Sequence, residues 1–136
     1  MIEITKKPIS VDKVIGSVKS DGSGCVVTYI GLIRNNSQGR PVLTVEYEDS
    51  EGNAKNTLQD IADEAGRRWQ IENIALSHRI GILKVGEINL IVAVASAHRK
   101  EGFAACQYAI DRFKQSLPTR KTESYQEIIL LKDSKV

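Results

Sequence analysis

The chain has 136 residues, which is enough for one domain with its own hydrophobic core and too few for two. Hydrophobic residues make up 41% and charged residues 26%, values typical of globular proteins that exclude a disordered or collagen-like chain. The formal net charge is only +2, which argues against a general nucleic-acid or membrane-surface binder. Any site for an anion must therefore be local.

The N-terminal residues and the cysteines indicate the compartment. The chain starts with an early acid, Glu3, and has neither an apolar run of signal-peptide length nor the ~20 apolar residues that span a bilayer. We therefore expect a cytoplasmic protein. Cys25 and Cys106 lack the paired spacing of a zinc or thioredoxin motif, and we interpret both as small buried hydrophobic residues rather than as a catalytic thiol. No metal-ligand spacing occurs, and we predict no permanently bound cofactor.

The first elements are a short helix and a strand. Ser10 is a capping residue that precedes a short apolar period, and the polar and glycine residues 20–24 end this helix. Residues 25–33 form a nearly continuous apolar and β-branched run, which is typical of a strand covered on both faces. Residues 34–41 are polar and predict a loop.

Residues 42–48 alternate between apolar and polar side chains. Leu43, Val45 and Tyr47 point one way, which predicts a half-exposed strand. We expect this strand to pair with residues 25–33 as a hairpin.

The rest of the chain alternates between helices and strands without forming regular βαβ units. Helical spacing predicts an amphipathic helix over 53–69, and apolar runs predict strands over 71–79 and 88–96, with glycines that permit a tight connection between them. A longer helix is predicted over 99–117, stopped by Pro118. Its apolar stripe consists of Phe103, Cys106, Ile110, Phe113 and Leu117. A last extended segment covers about 124–131. This order favours one α+β domain over residues 1–136 rather than a doubly wound parallel sheet.

Three basic residues stand at the start of the long helix. His98, Arg99 and Lys100 lie where the helix dipole disfavours cations, which makes sense if an anion binds there. A phosphate or carboxylate would find free backbone N–H groups, an imidazole and a guanidinium. The alternative, that these side chains are solvated or paired with acids such as Glu101, is equally favoured by the sequence.

Further cations are candidates for a reaction site. Lys114 lies on the edge of the helix face that should be buried, where loss of water would lower its pKa and allow acid, base or nucleophilic chemistry. A lysine whose stem covers apolar surface while its ammonium stays in water is the simpler alternative. Lys121 follows in a predicted loop and could converge on the same cleft. Arg34 ends the strand over 25–33, a common place for a ligand contact.

Charge is divided unevenly along the chain. Residues 42–64 carry seven acids and one base, whereas residues 98–121 carry six bases and two acids. The sequence thus predicts a basic working face and an acidic flank.

An ordered series of motifs resembles the large, catalytic subunit of molybdopterin synthase over about residues 10–123. The series consists of Ser77-His78-Arg79-Ile80-Gly81, Val85-Gly86-Glu87, Ser96-Ala97-His98-Arg99, Phe103-Ala104-Ala105-Cys106 and Ile110-Asp111-Arg112-Phe113-Lys114, with Gly31-Leu32-Ile33-Arg34-Asn35 and Tyr47-Glu48 upstream. The chain departs from the family pattern at Thr119-Arg120, where a hydrophobic residue and a tryptophan usually stand.

The resemblance implies an α+β fold of the α/β-hammerhead kind and a transferase of molybdenum cofactor biosynthesis. It implies a homodimer with a small ubiquitin-like sulfur-carrier subunit at each end, a heterotetramer in all. The thiocarboxylated tail of the carrier would donate sulfur to cyclic pyranopterin monophosphate, forming the dithiolene. By motif, Lys114 and Lys121 take the catalytic positions, and Arg34, His98 and Arg99 bind the anionic substrate.

Two other functions remain as alternatives. A non-catalytic dimeric module that still docks a ubiquitin-like carrier is one, and Thr119-Arg120 is the feature that favours it. A nucleic-acid surface over residues 98–121 is the weaker one, because this stretch has few aromatic residues for base stacking.

Overall fold

Three helices and eight strands form within residues 1–125, which are the residues that the computed structural model describes. In chain order they are β1 (Ile2–Thr5), α1 (Val11–Val18), β2 (Cys25–Leu32), β3 (Asn36–Ser37), β4 (Arg40–Glu48), α2 (Ala54–Arg68), β5 (Asn73–Arg79), β6 (Gly81–Lys84), β7 (Ile88–Ser96), α3 (Arg99–Ser116) and β8 (Arg120–Tyr125). The α+β class predicted from the sequence is confirmed. Within this part of the chain, none of the helices combines the length and the apolar character needed to cross a bilayer.

The strands form two sheets. The first has the order β1-β5-β7-β2, in which β1 and β5 are parallel and the other pairs are antiparallel. In the second, β4 pairs with β3, β6 and β8, always antiparallel. The sheets are therefore mixed and antiparallel, as expected.

Helices cover both faces of the first sheet. Because side chains alternate along a strand, Leu76 and Val92 face α2 and α3 and pack with Leu58, whereas Ala75 and Ile91 face α1. The Ser10 side chain accepts a hydrogen bond from the backbone N–H of Lys13 and begins α1, as its position predicts. The first sheet is thus the rigid centre on which the rest of the fold is built.

The hairpin predicted between residues 25–33 and 42–48 is wrong. Instead β2 pairs with β7, and β4 follows a tight turn from β3 at Gln38 and Gly39, both of which have positive φ angles. Such a two-residue turn with two positive φ angles matches the twist of a hairpin, and it directs β4 to β3. The expectation that residues 25–33 are covered on both faces holds only in part. Val26 and Val27 pack against the core clusters on opposite faces of the first sheet, whereas Ile30 and Leu32 at the other end of β2 are 41% and 56% exposed.

Two predicted apolar stripes are shifted in the structure. A register shift between Val42 and Thr44 turns Leu43 outward and buries Val42. On α3, Phe103 is 59% exposed, because the face that packs on the first sheet carries small residues instead. A Cβ at Gly102 would lie 2.7 Å from Ser96 Oγ, so this close approach of helix and sheet requires glycine.

The predicted segment 124–131 lies mostly outside the described residues. Its first two residues belong to β8, which begins earlier, at Arg120. The predicted loop around Lys121 is accordingly wrong, since this residue is part of a strand.

Candidate active site

A cleft of about 650 Å³ opens where the two sheets and the end of α3 meet. Its walls are the end of β2 with the loop that follows, the face of β4 and β8, and the last turn of α3 with Leu117. The lining residues are Tyr29, Gly31, Leu32, Ile33, Arg34, Asn36, Ser37, Val45, Tyr47, Asn89, Phe113, Lys114, Leu117, Lys121 and Glu123. A volume of this size suits a small-molecule ligand.

Three cations converge on this cleft from separate elements. Arg34 follows β2, Lys114 lies in the last turn of α3, and Lys121 lies on β8. All three side chains are exposed to solvent, so for Lys114 the structure favours the alternative in which the ammonium stays in water over partial burial. The Lys114 Nζ atom is 6.0 Å from the centre of the Tyr29 ring, at the outer limit of a cation–π contact. The structure thus brings together three of the five predicted site residues.

Strand geometry directs Lys121 into the cleft. Lys121 lies opposite Tyr47 in the β4–β8 ladder, and Glu123 lies opposite Val45. Because alternate residues of a strand share a face, all four side chains line the same wall. A lysine that would be freely mobile in a loop is therefore held by a ladder of backbone hydrogen bonds.

One acid also lines the cleft. Glu123 accepts a hydrogen bond from Ser37 Oγ at 3.2 Å, which ties β8 to the short strand β3. Among the lining side chains that belong to residues 1–125 there are three cations and one carboxylate, a balance that favours an anionic ligand.

The floor of the cleft carries a polar pair. Asn89 Nδ2 donates a hydrogen bond of 3.1 Å to the Tyr47 hydroxyl oxygen. Burial raises the pKa of the Tyr47 phenol, which therefore stays protonated at neutral pH. A Cβ at Gly31 would lie 2.8 Å from Asn89 Oδ1, so glycine is needed for β2 to approach this amide.

A buried histidine lies directly behind this floor. His78 Nδ1 is 2.8 Å from the Asn89 carbonyl oxygen, which can only accept, so Nδ1 carries the proton. Its Nε2 lies 2.9 Å from Thr119 Oγ1 and accepts from that hydroxyl. Burial lowers the pKa of His78, which keeps the ring neutral, and the two hydrogen bonds fix this tautomer.

The predicted anion-binding pair His98 and Arg99 lies elsewhere. Both residues are exposed at the start of α3 and do not line the cleft. Arg99 and Lys114 are separated by fifteen residues of one helix, which is about 22 Å along its axis. Within a single chain the structure therefore does not bring His98 and Arg99 to the three cleft cations.

The two cysteines are placed away from the cleft lining. Cys106 is buried on α3, and burial raises the pKa of its thiol to about 11, so the reactive thiolate is scarce at neutral pH. Cys25 is half-buried, with its Sγ 3.5 Å from Ser96 Oγ. Among residues 1–125, no group of three or more potential metal-ligating side chains is clustered.

Several residues of the site were not selected from the sequence. Asn89 stands in the apolar run over 88–96, and a lone polar side chain in such a run is a signal that could have been used. Glu123 is two residues after Lys121 and lies on the same face of β8, but this relation can be used only once β8 is known to be a strand. Apart from the motif that contains His78, nothing in the sequence indicates that the side chains of His78 and Thr119 are buried.

Comparison with known proteins identifies the family. Residues 4–116 match the model of the MoaE protein family. The chain is 38% identical to the molybdopterin synthase catalytic subunit of Bacillus subtilis over 92% of its length and 80% of that protein. It is 36% identical to the human protein of that name, over 99% of this chain and 72% of the relative.

A solved structure agrees with this assignment. The crystal structure of molybdopterin synthase from Staphylococcus aureus superposes with a TM-score of 0.86 at 32% identity, covering 91% of this chain and 90% of that one. Sequence and fold lead to the same result over nearly the whole chain. The chain therefore belongs to the MoaE family, the molybdopterin synthase catalytic subunits.

Proposed function

We propose that the cleft of Arg34, Lys114 and Lys121 is the active site at which this subunit receives sulfur from a carrier and transfers it. The donor is the thiocarboxylated C-terminus of a small ubiquitin-like carrier subunit, and the acceptor is cyclic pyranopterin monophosphate, which becomes the dithiolene of molybdopterin. The observation that carries this proposal is the convergence of three cations from three elements on one cleft of about 650 Å³.

The charge of the cleft fits both reactants. A thiocarboxylate and a cyclic phosphate are both anions, and a guanidinium and two ammonium groups attract them and hold them in place. The reaction needs no permanently bound cofactor, and we place it in the cytoplasm.

The two lysines have different surroundings, which supports different roles. Lys114 lies in the last turn of α3 beside Tyr29 and is the central acid and base, able to protonate a leaving group or to be acylated by the carrier tail. Lys121 is fixed on β8 beside Glu123 and supplies electrostatic support. Arg34 binds the substrate anion.

The position of His98 and Arg99 is compatible with a site shared between two protomers. They lie too far from Lys114 to act with it in one chain, but in the homodimer proposed here a second protomer would supply them. Large exposed apolar side chains, among them Leu32, Ile82 and Val85, support association with a partner. With one carrier at each end, the assembly is a heterotetramer.

A mixing experiment tests the shared site. Arg99→Ala should weaken binding of the phosphorylated pterin more than binding of the carrier, and equal loss of both would make Arg99 a structural residue instead. At a pterin concentration low enough that neither variant is active alone, Arg99→Ala and Lys114→Ala proteins should regain roughly a quarter of wild-type activity after subunit exchange, because a mixed dimer keeps one unmutated site. No recovery in demonstrably mixed dimers would contradict a shared site.

Conversion of substrate tests the proposed reaction itself. Purified protein, thiocarboxylated carrier and cyclic pyranopterin monophosphate should yield molybdopterin, detected as its fluorescent oxidised derivative. The second candidate function is a docking module that has lost the chemistry, which the unusual Thr119-Arg120 pair favours. Carrier binding without product would support that candidate and overturn the first.

A further inference from the structure

We propose that the buried hydrogen bond between His78 and Thr119 positions Lys121 in the cleft. His78 and Thr119 are thus positioning residues for the sulfur transfer, although neither lines the cleft. The inference rests on the proposed function of the cleft and adds residues that this function does not name.

One imidazole connects four elements of the fold. His78 is fully buried on β5, and its two nitrogens bond to the Asn89 carbonyl oxygen and the Thr119 hydroxyl. The ring meets the ring of Tyr47 edge-on, with centres 4.9 Å apart, and that of Phe113 edge-on at 5.0 Å. Both polar atoms and both flanks of the ring are therefore used.

Each of these four partners either lines the cleft or is close in sequence to a residue that does. Asn89, Tyr47 and Phe113 line it directly, and Phe113 immediately precedes Lys114. Thr119 precedes Lys121 by two residues. His78 thus contacts β4, β7 and α3 at residues that line the cleft, and it contacts the residue that immediately precedes β8.

Thr119 is the side chain that fixes the start of β8. Three residues, Leu117 to Thr119, connect the end of α3 to β8, and among them only Thr119 has a side chain that can form a hydrogen bond. Thr119 is 4% exposed, whereas Lys121 is exposed on the strand that follows. The buried bond therefore sets where the strand begins, and the strand carries Lys121 into the cleft.

The hydrogen bond uses a residue at which this chain departs from the pattern it resembles. Thr119 stands where that pattern has a hydrophobic residue, and in this chain removal of its hydroxyl would leave the buried His78 Nε2 without the partner that it has in the structure. Such an unpaired buried atom is unfavourable. In this chain a polar contact replaces apolar packing as the anchor of β8.

Three threonine variants isolate the hydroxyl. Thr119→Val keeps the shape and removes the hydroxyl, and Thr119→Ser keeps the hydroxyl. Thr57→Val is a matched control on α2, where the hydroxyl donates to the carbonyl oxygen of Asn53 in the same helical turn. We expect Thr119→Val to lower kcat by roughly tenfold to a hundredfold, because displacement of a reacting group by about 1 Å has effects of this size. Carrier affinity should be unchanged, and the serine variant and the control should retain wild-type kcat.

A second readout does not depend on turnover. After reductive methylation with ¹³C-formaldehyde, the Lys121 signal, assigned with Lys121→Arg, reports the surroundings of its ammonium group by NMR. In Thr119→Val this signal should move towards that of a free lysine, while Thr119→Ser and Thr57→Val leave it in place. An unmoved Lys121 signal in Thr119→Val overturns the inference even if activity falls.

The histidine side of the bond provides an independent pair of variants in case Thr119→Val does not fold. His78→Gln puts an amide oxygen near the Nε2 position, where it accepts from Thr119, and should leave the Lys121 signal in place. His78→Asn keeps the donor to Asn89 but loses Thr119, and should shift it. Equal signals in the two variants overturn the inference. If the wild-type protein forms no product but the Lys121 signal still changes in Thr119→Val, the proposed function is refuted and the positioning of Lys121 is not.

Discussion

The buried His78 should make the stability of the fold depend on pH in a way that one substitution removes. Its ordinary pKa is 6.5, and burial lowers the pKa in the folded protein, an effect larger than the opposing hydrogen bond to the Asn89 backbone and the charge of Asp49. In the unfolded chain the imidazole is free to take up a proton near its ordinary pKa. The unfolded state therefore binds more protons as the pH falls below this value.

The sign and the size of the effect follow from linkage. The contribution of the neutral ring to stability is fully present above pH 6.5 and is lost as the pH falls from there through the lowered folded pKa. Between about pH 7.5 and about pH 5.5, one such group can lower the free energy of unfolding by at most about 1.4 kcal/mol. The full amount is expected if the ring stays neutral over this range.

Urea unfolding of wild type and His78→Asn at both pH values measures the effect. The asparagine variant does not titrate here, so its loss of stability on acidification should be smaller than that of the wild type by up to the stated amount. His98→Asn is the matched control, since His98 is the other of the two histidines and is exposed. Equal pH dependence in wild type and His78→Asn would refute a buried neutral His78.

Three further predictions concern packing and thiol reactivity. Gly31→Ala should destabilise the fold by about 1–3 kcal/mol, because the added Cβ would lie 2.8 Å from Asn89 Oδ1. Gly16→Ala on α1 should stabilise the fold instead, because its added Cβ would have nothing within 4 Å. Equal free energies of unfolding for the two variants in urea would contradict this. Leu58→Ala removes a fully buried side chain between α2 and the first sheet and should lower the free energy of unfolding by about 2–5 kcal/mol, so a loss well below this range would show that Leu58 is not in the core. Cys106, whose thiol pKa is raised to about 11, should resist iodoacetamide at neutral pH until the protein unfolds, and mass spectrometry showing alkylation at the rate of a free thiol would contradict its burial.

Local signals in the sequence predicted the elements well. The cap at Ser10 begins α1, and the apolar run over 88–96 is β7 residue for residue. Capping, periodicity and a stop at proline act over a few residues, so they can be recognised without knowing the fold. Strand pairing was predicted less well. The two-residue turn at Gln38 and Gly39 pairs β4 with β3, so that β4 does not form a hairpin with β2.

The site was predictable only in part, for a related reason. Arg34 stands at the end of a predicted strand and Lys114 on the edge of a predicted helix face, and both line the cleft. Lys121 was expected to converge on the same cleft from a loop, but its direction depends on the pairing of β8 with β4. The contact between His78 and Thr119 joins residues that are 41 positions apart, and only the folded chain reveals it.

Conversion of cyclic pyranopterin monophosphate by Lys114→Ala tests the central claim most directly. The assay uses thiocarboxylated carrier, the fluorescent oxidised derivative of molybdopterin as readout, and Lys55→Ala as control, since Lys55 is an exposed lysine on α2 outside the cleft lining. Lys114→Ala should bind the carrier and unfold like the wild type yet form no dithiolene, while Lys55→Ala forms it at the wild-type rate. Wild-type turnover in Lys114→Ala would contradict the assignment of this cleft as the site of sulfur transfer.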